Sequence, residues 1–236
     1  EQLSFAGRLD HAMNDSTIVI AVEHGGIAKA YPVRYLSYHH QVRDTVGGKP
    51  VMVTYCNVCR TGRVFEPVVN GSPENFRLVG MDHFNAMFED ATTKSWWRQA
   101  TGEAIIGKRK GIFLPEMESS QLTLGAWLKL HPNSLVMQPD PLFSSSYDST
   151  MAYEKGKSRK TLTGTDSLSW KKKSWVVGVK FSGQSRAYDW NKLKETGVIE
   201  DTMAGKSIFI LLGSDSISFA AFEKSGLIGS PRIEKD

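Results

Sequence analysis

Hydrophobic positions along this chain fall mostly in short runs of β-branched and aromatic residues, which are typical of strands. Residues 18–22 form the first such run, and a turn with Gly26 leads to a second strand that ends at Tyr31. Residues 32–42 predict a short helix, because the proline suits a first helical turn and a central leucine faces inward. Residues 51–55 then predict a buried strand, and one more strand follows it.

This pattern occurs a second time near the end of the sequence. Residues 19–66 align without a gap with residues 176–223, and 12 of the 48 aligned pairs are identical. Chance seldom gives so long an ungapped match with the hydrophobic pattern kept, so we predict an internal duplication. The expected fold is α+β and β-rich, with two diverged copies of a strand-strand-helix-strand-strand unit and a mixed insert between them. The identical pairs include Tyr31/Tyr188, Leu36/Leu193 and Asp44/Asp201.

The insert between the two copies has its own strand and helix signals. Residues 76–80 and 86–89 predict strands, and residues 122–131 predict a helix that a threonine caps and a proline stops. Trp96 and Trp97 stand side by side in a further strand-like segment. Neighbours on a strand point to opposite faces, so one tryptophan is expected in the core and the other can wall a pocket.

The chain is expected to divide into three segments. Residues 1–142 form a main domain with the first repeat and an insert that helps to build the site. Residues 143–174 are rich in Ser, Thr and Lys in their first part and predict an exposed connection. Residues 175–236 contain the second repeat, which we expect to pack on the first.

Composition and charge exclude some classes of function. The 29 Lys and Arg residues against 25 Asp and Glu give a net charge of +4, far from the dense basic face of a nucleic-acid binder. No apolar run approaches the roughly 18 residues that a membrane-spanning helix needs. Two cysteines are too few for a disulfide scaffold, and they could form a disulfide pair, a dithiol or two metal ligands.

The two cysteines, Cys56 and Cys59, are the strongest functional signal. The second copy has Gly213 and Ser216 at the aligned positions, so the scaffold does not require the thiols. The pair leaves a buried strand and enters a turn, which aims two sulfurs at one point. Thiolates are soft ligands for Zn²⁺ or Cu(I), and imidazoles complete such sites, so we predict a protein that binds a copper or zinc ion. The expected ligands are Cys56, Cys59, His39, His83 and His40, with Met81 and Met87 as thioether neighbours.

Other functions use the same residues differently. An open coordination position would add redox or hydrolytic chemistry, and Asp82 and His83 would be an acid/base pair in which Asp82 orients the imidazole. A metal-free thiol-disulfide oxidoreductase would use one cysteine as the nucleophile, with Arg60 as a cation that lowers the pKa of its thiol. The residues after Cys59 predict a turn and a strand, which disfavours a thioredoxin-like context. A third hypothesis is a non-catalytic binding module with a structural disulfide.

A set of motifs resembles one known family. The motifs are Ala30-Tyr31-Pro32, Tyr38-His39, residues 44–48, Tyr55-Cys56 with Cys59, and residues 95–107. Over residues 19–140 they resemble the bacterial and archaeal family catalogued as domain of unknown function 3179. The resemblance implies exported, periplasmic or membrane-associated proteins without a settled activity. His40 stands where that family's aromatic-His-Glu motif has its Glu, which enriches the expected site in imidazole and fits metal binding.

Overall fold

A computed structural model describes residues 3–7, 13–154 and 166–225 of the chain. The chain divides into two compact units, Glu1–Ser158 and Arg159–Asp236, called unit 1 and unit 2 below. Short strands dominate the described residues and helices are few, which confirms the prediction of a β-rich α+β protein. No helix among these residues is long and apolar enough to cross a membrane.

Unit 1 carries most of the secondary structure. Its strands are β1 (Phe5–Ala6), β2 (Ile18–His24), β3 (Ile27–Pro32), β4 (Gln41–Val46), β5 (Lys49–Cys56), β6 (Thr61–Phe65), β7 (Val68–Val69), β8 (Ser72–Pro73), β9 (Phe76–Asp82), β10 (Asn85–Asp90), β11 (Trp96–Arg98), β12 (Ala104–Ile106), β13 (Ser120–Thr123) and β14 (Leu135–Met137). Its helices are α1 (Val33–His39), α2 (Leu124–Leu130), a 3₁₀ turn (Pro141–Phe143) and α3 (Ser144–Glu154).

The strands of unit 1 form separate sheets. A five-stranded sheet has the order β1-β14-β3-β2-β13, in which only the β14–β3 pair is parallel. An antiparallel three-stranded sheet, β4-β5-β6, and an antiparallel four-stranded sheet, β12-β11-β10-β9, carry the cysteines and the His83 turn respectively. Strands β7 and β8 form a small hairpin.

Strand β5 is buried on both faces, which explains its continuous apolar run. Val53 and Tyr55 belong to a core cluster with residues of β2, β3 and α1. Met52, on the opposite face, belongs to a second cluster with Trp97 of β11. Trp97 is 1% exposed and its neighbour Trp96 is 38% exposed, so the two rings point to opposite faces as predicted.

Strand β6 lies close to the five-stranded sheet at Gly62. A Cβ atom at Gly62 would overlap the side chain of Ile20 on β2. A side chain at this position would therefore have to displace the Ile20 side chain or move β6 away from β2.

Unit 2 has fewer elements. They are β15 (Val176–Phe181), β16 (Gln184–Asp189), α4 (Trp190–Thr196), β17 (Val198–Met203), β18 (Lys206–Leu212) and β19 (Phe219–Glu223). Strands β15 and β16 form one antiparallel hairpin, and β17-β18-β19 form an antiparallel sheet. Leu193, Ile208 and Ile210 lie in the hydrophobic core of this unit.

Both units contain the element order strand, strand, helix and three strands. Tyr31 donates to Asp44 at 2.8 Å in unit 1, and Tyr188 donates to Asp201 at 2.8 Å in unit 2. The residue that follows helix α1 is His40 with φ 61°, and the residue that follows α4 is Gly197 with φ 71°. Each of these left-handed residues gives its N–H to the carbonyl of the helix leucine four residues earlier.

Helix bounds are where the structure departs from the sequence predictions. The helix predicted over residues 32–42 ends at His39, because the left-handed residue after it turns the chain into β4. The helix predicted over residues 122–131 is Leu124–Leu130; Thr123 caps it as expected, and the residues before it pair with β2.

The predicted exposed connection, residues 143–174, is not irregular throughout. Residues 144–154 form α3, whose buried Tyr147 packs on Tyr35 and Tyr38 with ring centroids 4.8 and 5.8 Å away. Among residues 144–150 of this helix, whose side chains the structure describes, Tyr147 is the buried one, and no amphipathic periodicity marks the helix in the sequence. Residues 155–165 of the predicted connection lie outside the described residues.

The turn between β10 and β11 is held by a buried carboxylate. Asp90 accepts hydrogen bonds from the indole of Trp97 at 2.9 Å and from Thr93, and it lies 3.3 Å from the guanidinium of Arg109. Arg109 also pairs with the buried Glu74. Burial alone would raise the pKa of Asp90, but the Trp97 and Thr93 hydrogen bonds and the Arg109 charge outweigh it and hold this pKa below its ordinary value.

We expect Asp90→Asn to lower the free energy of unfolding by about 3 kcal/mol, because it removes the negative charge beside Arg109 and puts an amide donor where one carboxylate oxygen accepts from Trp97 and Thr93. A carboxyl group with a lowered folded-state pKa stabilises the fold above its unfolded-state pKa and loses that contribution as pH falls. The wild-type free energy of unfolding should therefore drop below about pH 4, and less steeply in the variant. Urea denaturation from pH 3 to 7 measures both effects. Asp148→Asn, at an exposed carboxylate, is the control. An equal loss of stability in that variant would contradict a stabilising role of the buried Asp90 carboxylate.

Candidate functional site

The cysteine loop closes the hairpin between β5 and β6. Cys56 is the last residue of β5 and pairs with Thr61, the first residue of β6. Two side-chain hydrogen bonds hold the loop residues 57–60. The amide of Asn57 donates to Ser37 O of α1 at 3.0 Å, and the Thr61 hydroxyl donates to Cys59 O at 3.0 Å. The loop therefore has a defined shape that does not depend on its sulfurs alone.

Cys56 and Cys59 are joined by a disulfide, with their Cα atoms 5.5 Å apart. The two residues differ in accessibility: Cys56 is 3% exposed, whereas Cys59 lies on the surface. Cys59 is therefore the residue of the pair that a molecule from solution reaches more easily.

The turn of the β9–β10 hairpin lies against the disulfide. His83 and Phe84 form this two-residue turn and both have positive φ, 46° and 69°. Such turns favour Asn and Gly, and bulky residues with positive φ cost about 1 kcal/mol or more each. The carbonyl oxygen of Phe84 lies 3.5 Å from Sγ of Cys56 and 3.4 Å from Sγ of Cys59. This uncommon turn therefore places a backbone acceptor against both sulfurs.

A buried amide chain connects the sulfurs to the neighbouring strands. Asn85 Nδ2 lies 3.2 Å from Sγ of Cys59 and 3.2 Å from Oε1 of Gln99. Gln99 is 1% exposed, and its Nε2 donates to the hydroxyl of Thr54 at 3.0 Å and to Thr61 O at 2.9 Å. One glutamine side chain thus links β5, β6 and β10 around the disulfide.

Asp82 and His83 form a hydrogen-bonded pair beside this turn. His83 Nδ1 lies 2.6 Å from Asp82 Oδ1, and the guanidinium of Arg98 donates to Asp82 Oδ2. The hydrogen bond from Arg98, and then that from His83, lowers the pKa of Asp82 below its usual range. The His83 side chain is 93% exposed. An anionic Asp82 can therefore orient an imidazole that solvent reaches, although an acid/base role stays a prediction.

The other two candidate histidines have different surroundings. His39 Nε2 lies 2.9 Å from the hydroxyl of Tyr147, which itself accepts a hydrogen bond from Asp140 N. Burial lowers the pKa of His40, whose Nδ1 is buried without a hydrogen-bond partner in the described structure. The sulfurs contact Phe84 O and Asn85 Nδ2, and no imidazole is among their hydrogen-bond partners in the described residues.

The predicted metal ligands do not form a cluster. Across residues 3–7, 13–154 and 166–225, no group of three or more His, Cys, Asp and Glu side chains is arranged to hold a metal ion. Met81 is exposed and Met87 is buried, and the two lie on opposite faces of the hairpin. Arg60 follows Cys59 in the loop with φ 51°, and its effect on a thiol stays a prediction. The copper or zinc site likewise stays a prediction.

Sequence reasoning gave no role to three residues that shape this site. Asn85 lies between the predicted strands 76–80 and 86–89, Gln99 follows the two tryptophans, and Thr54 lies in the predicted strand 51–55. Their contacts join residues 14, 26, 38 and 45 positions apart. The sequence does contain a local signal for these residues. Thr54 and Asn85 are polar residues with apolar neighbours on both sides, and Gln99 is a polar residue between Trp97 and the Thr-Gly turn that follows.

Comparisons with known proteins identify a family and no closer relative. A family model described as a protein of unknown function, DUF3179, matches residues 3–229. No curated protein and no solved structure matches the chain.

We expect Gln99→Leu to lower the free energy of unfolding by about 2 to 3 kcal/mol, because it keeps the side-chain volume but leaves the Thr54 hydroxyl, Thr61 O and Asn85 without their buried partner. Chemical denaturation with tryptophan fluorescence measures the loss. Gln184→Leu, at an exposed glutamine of unit 2, is the control and should change stability by less than about 0.5 kcal/mol. Equal stability of Gln99→Leu and wild type would show that the amide chain does not hold these strands.

Proposed function

The chain belongs to the DUF3179 family, whose function is unknown, and we propose that Cys56 and Cys59 form a reversible dithiol-disulfide centre. In this proposal the protein exchanges thiols and disulfides with a partner that carries either group. The observation that carries the proposal is the pairing of one buried and one exposed cysteine in a short, pre-shaped loop. An exposed sulfur can form a mixed disulfide, and a buried neighbour can resolve it.

A purely structural disulfide accounts less well for the pair. Closing so short a loop is worth only about 2 kcal/mol in the chain-entropy account, the low end of the usual range. The loop already has the Asn57–Ser37 and Thr61–Cys59 hydrogen bonds. In unit 2 the corresponding hairpin closes without cysteines, since Gly213 N donates to Ser218 O at 2.7 Å and Asp215 accepts from Ser218 N at 2.7 Å.

The comparison of the two units rests on a second proposal, that unit 2 is a diverged copy of residues 19–66. The strand registers support it: Ile20 pairs with Tyr31 and Val177 with Tyr188, and Met52 pairs with Phe65 as Phe209 does with Phe222. The matched Tyr–Asp hydrogen bonds and left-handed helix ends support it as well. The cysteines are then a feature that only one copy carries.

Two further features are consistent with thiol chemistry at this loop. His83, held by Asp82, precedes the residue whose carbonyl contacts both sulfurs, so its exposed imidazole is a candidate for proton transfer during exchange. A cysteine pair that is joined by a disulfide also suits an oxidising compartment, which supports the proposal of a periplasmic or otherwise exported protein.

Under this proposal dithiothreitol reduces the disulfide of the folded protein. The disulfide forms again when the reductant is removed and the protein is exposed to air or to oxidised glutathione. The reduced protein should stay folded, because the loop's hydrogen bonds remain, and should be less stable by about 2 kcal/mol. Mass spectrometry after alkylation counts the thiols, and circular dichroism with tryptophan fluorescence reports the fold. The double variant Cys56→Ser/Cys59→Ser is the matched control and should fold like the reduced protein. A disulfide that is reduced only when the protein unfolds would contradict the proposal.

Metal binding by the reduced dithiol is the alternative proposal, and it needs the disulfide to open first because a soft metal binds thiolates. If Cys56, Cys59 and an imidazole form the site, reduced protein dialysed with Zn²⁺ or Cu(I) under argon should hold about one ion per chain. Cys56→Ser and His39→Ala should each lose it, and His24→Ala, at an exposed strand end, should keep it. Reduced protein that stays folded and holds no ion would reject the metal site and leave the dithiol proposal intact.

A further inference from the structure

The two sulfurs differ in their hydrogen-bond partners as well as in exposure. Asn85 Nδ2 lies 3.2 Å from Sγ of Cys59, and Asn85 itself is buried. In the described residues, no N–H donor contacts the Cys56 sulfur, whereas the carbonyl oxygen of Phe84 lies near both sulfurs, 3.5 Å from Cys56 and 3.4 Å from Cys59, so the Asn85 donor is what distinguishes them. An N–H group favours a thiolate, whereas a carbonyl can only accept from a protonated thiol.

The orientation of the Asn85 amide is fixed by its other partners. Its Oδ1 accepts a hydrogen bond from Ala100 N at 2.9 Å, so a flipped amide would face that N–H with its own donors. Its Nδ2 has two hydrogens, and Gln99 Oε1 at 3.2 Å accepts one of them. The other hydrogen points to Cys59. The donor is therefore in place before any thiolate forms.

Gln99 fixes the orientation of the Asn85 amide through its own hydrogen bonds. Both hydrogens of its Nε2 are used, by the Thr54 hydroxyl and Thr61 O, so its Oε1 must face Asn85. Since Gln99 is buried and bonded on both sides, it cannot turn without losing these hydrogen bonds. A continuous series of hydrogen bonds therefore leads from Thr54 of β5 and Thr61 of β6 through Gln99 and Asn85 to the sulfur of Cys59.

We propose that Cys59, the second cysteine of the motif, is the sulfur that exchanges with the partner, that Asn85 is its positioning residue, and that Cys56 resolves the mixed disulfide. This inference rests on the proposed dithiol-disulfide function and assigns a direction to it. It reverses the common order, in which the first cysteine of such a motif is exposed and attacks. Here the first cysteine ends a buried strand and the second lies at the surface.

The exchange with a disulfide-containing substrate then balances as follows. Cys59 first loses its proton to water, and its thiolate attacks one substrate sulfur; a bond forms between them, the substrate disulfide breaks, and its other sulfur leaves as a thiolate that takes a proton from water. Cys56, after it loses its proton to water, attacks Cys59 Sγ, forms the Cys56–Cys59 disulfide and releases the second substrate thiolate, which is protonated in turn. The substrate gains two electrons and two protons, and the cysteine pair loses them. Asn85 stabilises the Cys59 thiolate that starts the cycle.

The test uses full-length single-cysteine variants and the aromatic disulfide 5,5′-dithiobis(2-nitrobenzoate), which releases a coloured thiolate on exchange. At pH 7 we expect Cys56→Ser protein, which keeps Cys59, to react at least about 10-fold faster than Cys59→Ser protein. Adding Asn85→Leu should slow the Cys59 reaction about 3-fold, since a lost N–H lowers the thiolate fraction while raising its intrinsic nucleophilicity. The same change should leave the Cys56 reaction unaltered. Asn85→Asp keeps the acceptor for Ala100 N but puts a carboxylate oxygen in place of the N–H that faces Cys59. It should slow the reaction of Cys59 further, because a negative charge disfavours the thiolate.

Controls separate this assignment from a general loosening of the loop. Asn57→Ala removes the loop's bond to Ser37 O and leaves Asn85 in place, so it should not slow Cys59. Faster reaction of Cys56, or an equal effect of Asn85→Leu on both cysteines in folded protein, would overturn the assignment. The rates are measured on single thiols, so they stand even if the wild-type disulfide resists reduction. That resistance would reject the proposed function rather than the order of the cysteines.

Discussion

The buried amide of Gln99 is the interaction on which the arrangement of this site depends. It lies where β5, β6 and β10 meet and satisfies polar groups from each of them. A buried amide without partners is costly, whereas one with every partner in place specifies a single arrangement. The positions of Asn85, of the His83–Phe84 turn and of the cysteine loop follow from this constraint.

The chemistry proposed for the cysteines follows from the same constraint. Strand β5 is buried to its last residue, so Cys56 is enclosed, and the loop after it brings Cys59 to the surface. A fixed N–H then faces one sulfur, and a backbone carbonyl faces both. Under the proposed function, two residues of the same type thereby acquire different reactivity, which stepwise thiol-disulfide exchange requires. In unit 2, Gly213 and Ser216 occupy the aligned positions, and hydrogen bonds to Asp215 close the loop instead.

Local sequence pattern predicted many of the strands and helices, whereas the functional role of Cys56 and Cys59 stays a prediction. Runs such as residues 51–55, the opposite faces of Trp96 and Trp97, and the Thr123 cap depend on local pattern, and the structure agrees with each. Helix α3 was missed because it has no amphipathic periodicity, and the end of α1 because a histidine adopts a conformation that usually needs glycine. The amide chain was missed because its members meet only after the sheets form. The expected partnership of His39 with the sulfurs has no counterpart among their hydrogen bonds in the described residues, where His39 faces the hydroxyl of Tyr147 instead.

The most direct measurement is the reduction potential of the Cys56–Cys59 pair in the folded, full-length protein. Equilibration with glutathione or dithiothreitol buffers of known potential, acid quenching and mass spectrometry of alkylated protein give the oxidised fraction at each potential. A reversible centre predicts a single two-electron transition at a potential less negative than about −270 mV, in the range of thiol-disulfide exchange proteins. A transition below about −300 mV, or one that coincides with unfolding, would mark a structural disulfide and contradict the account.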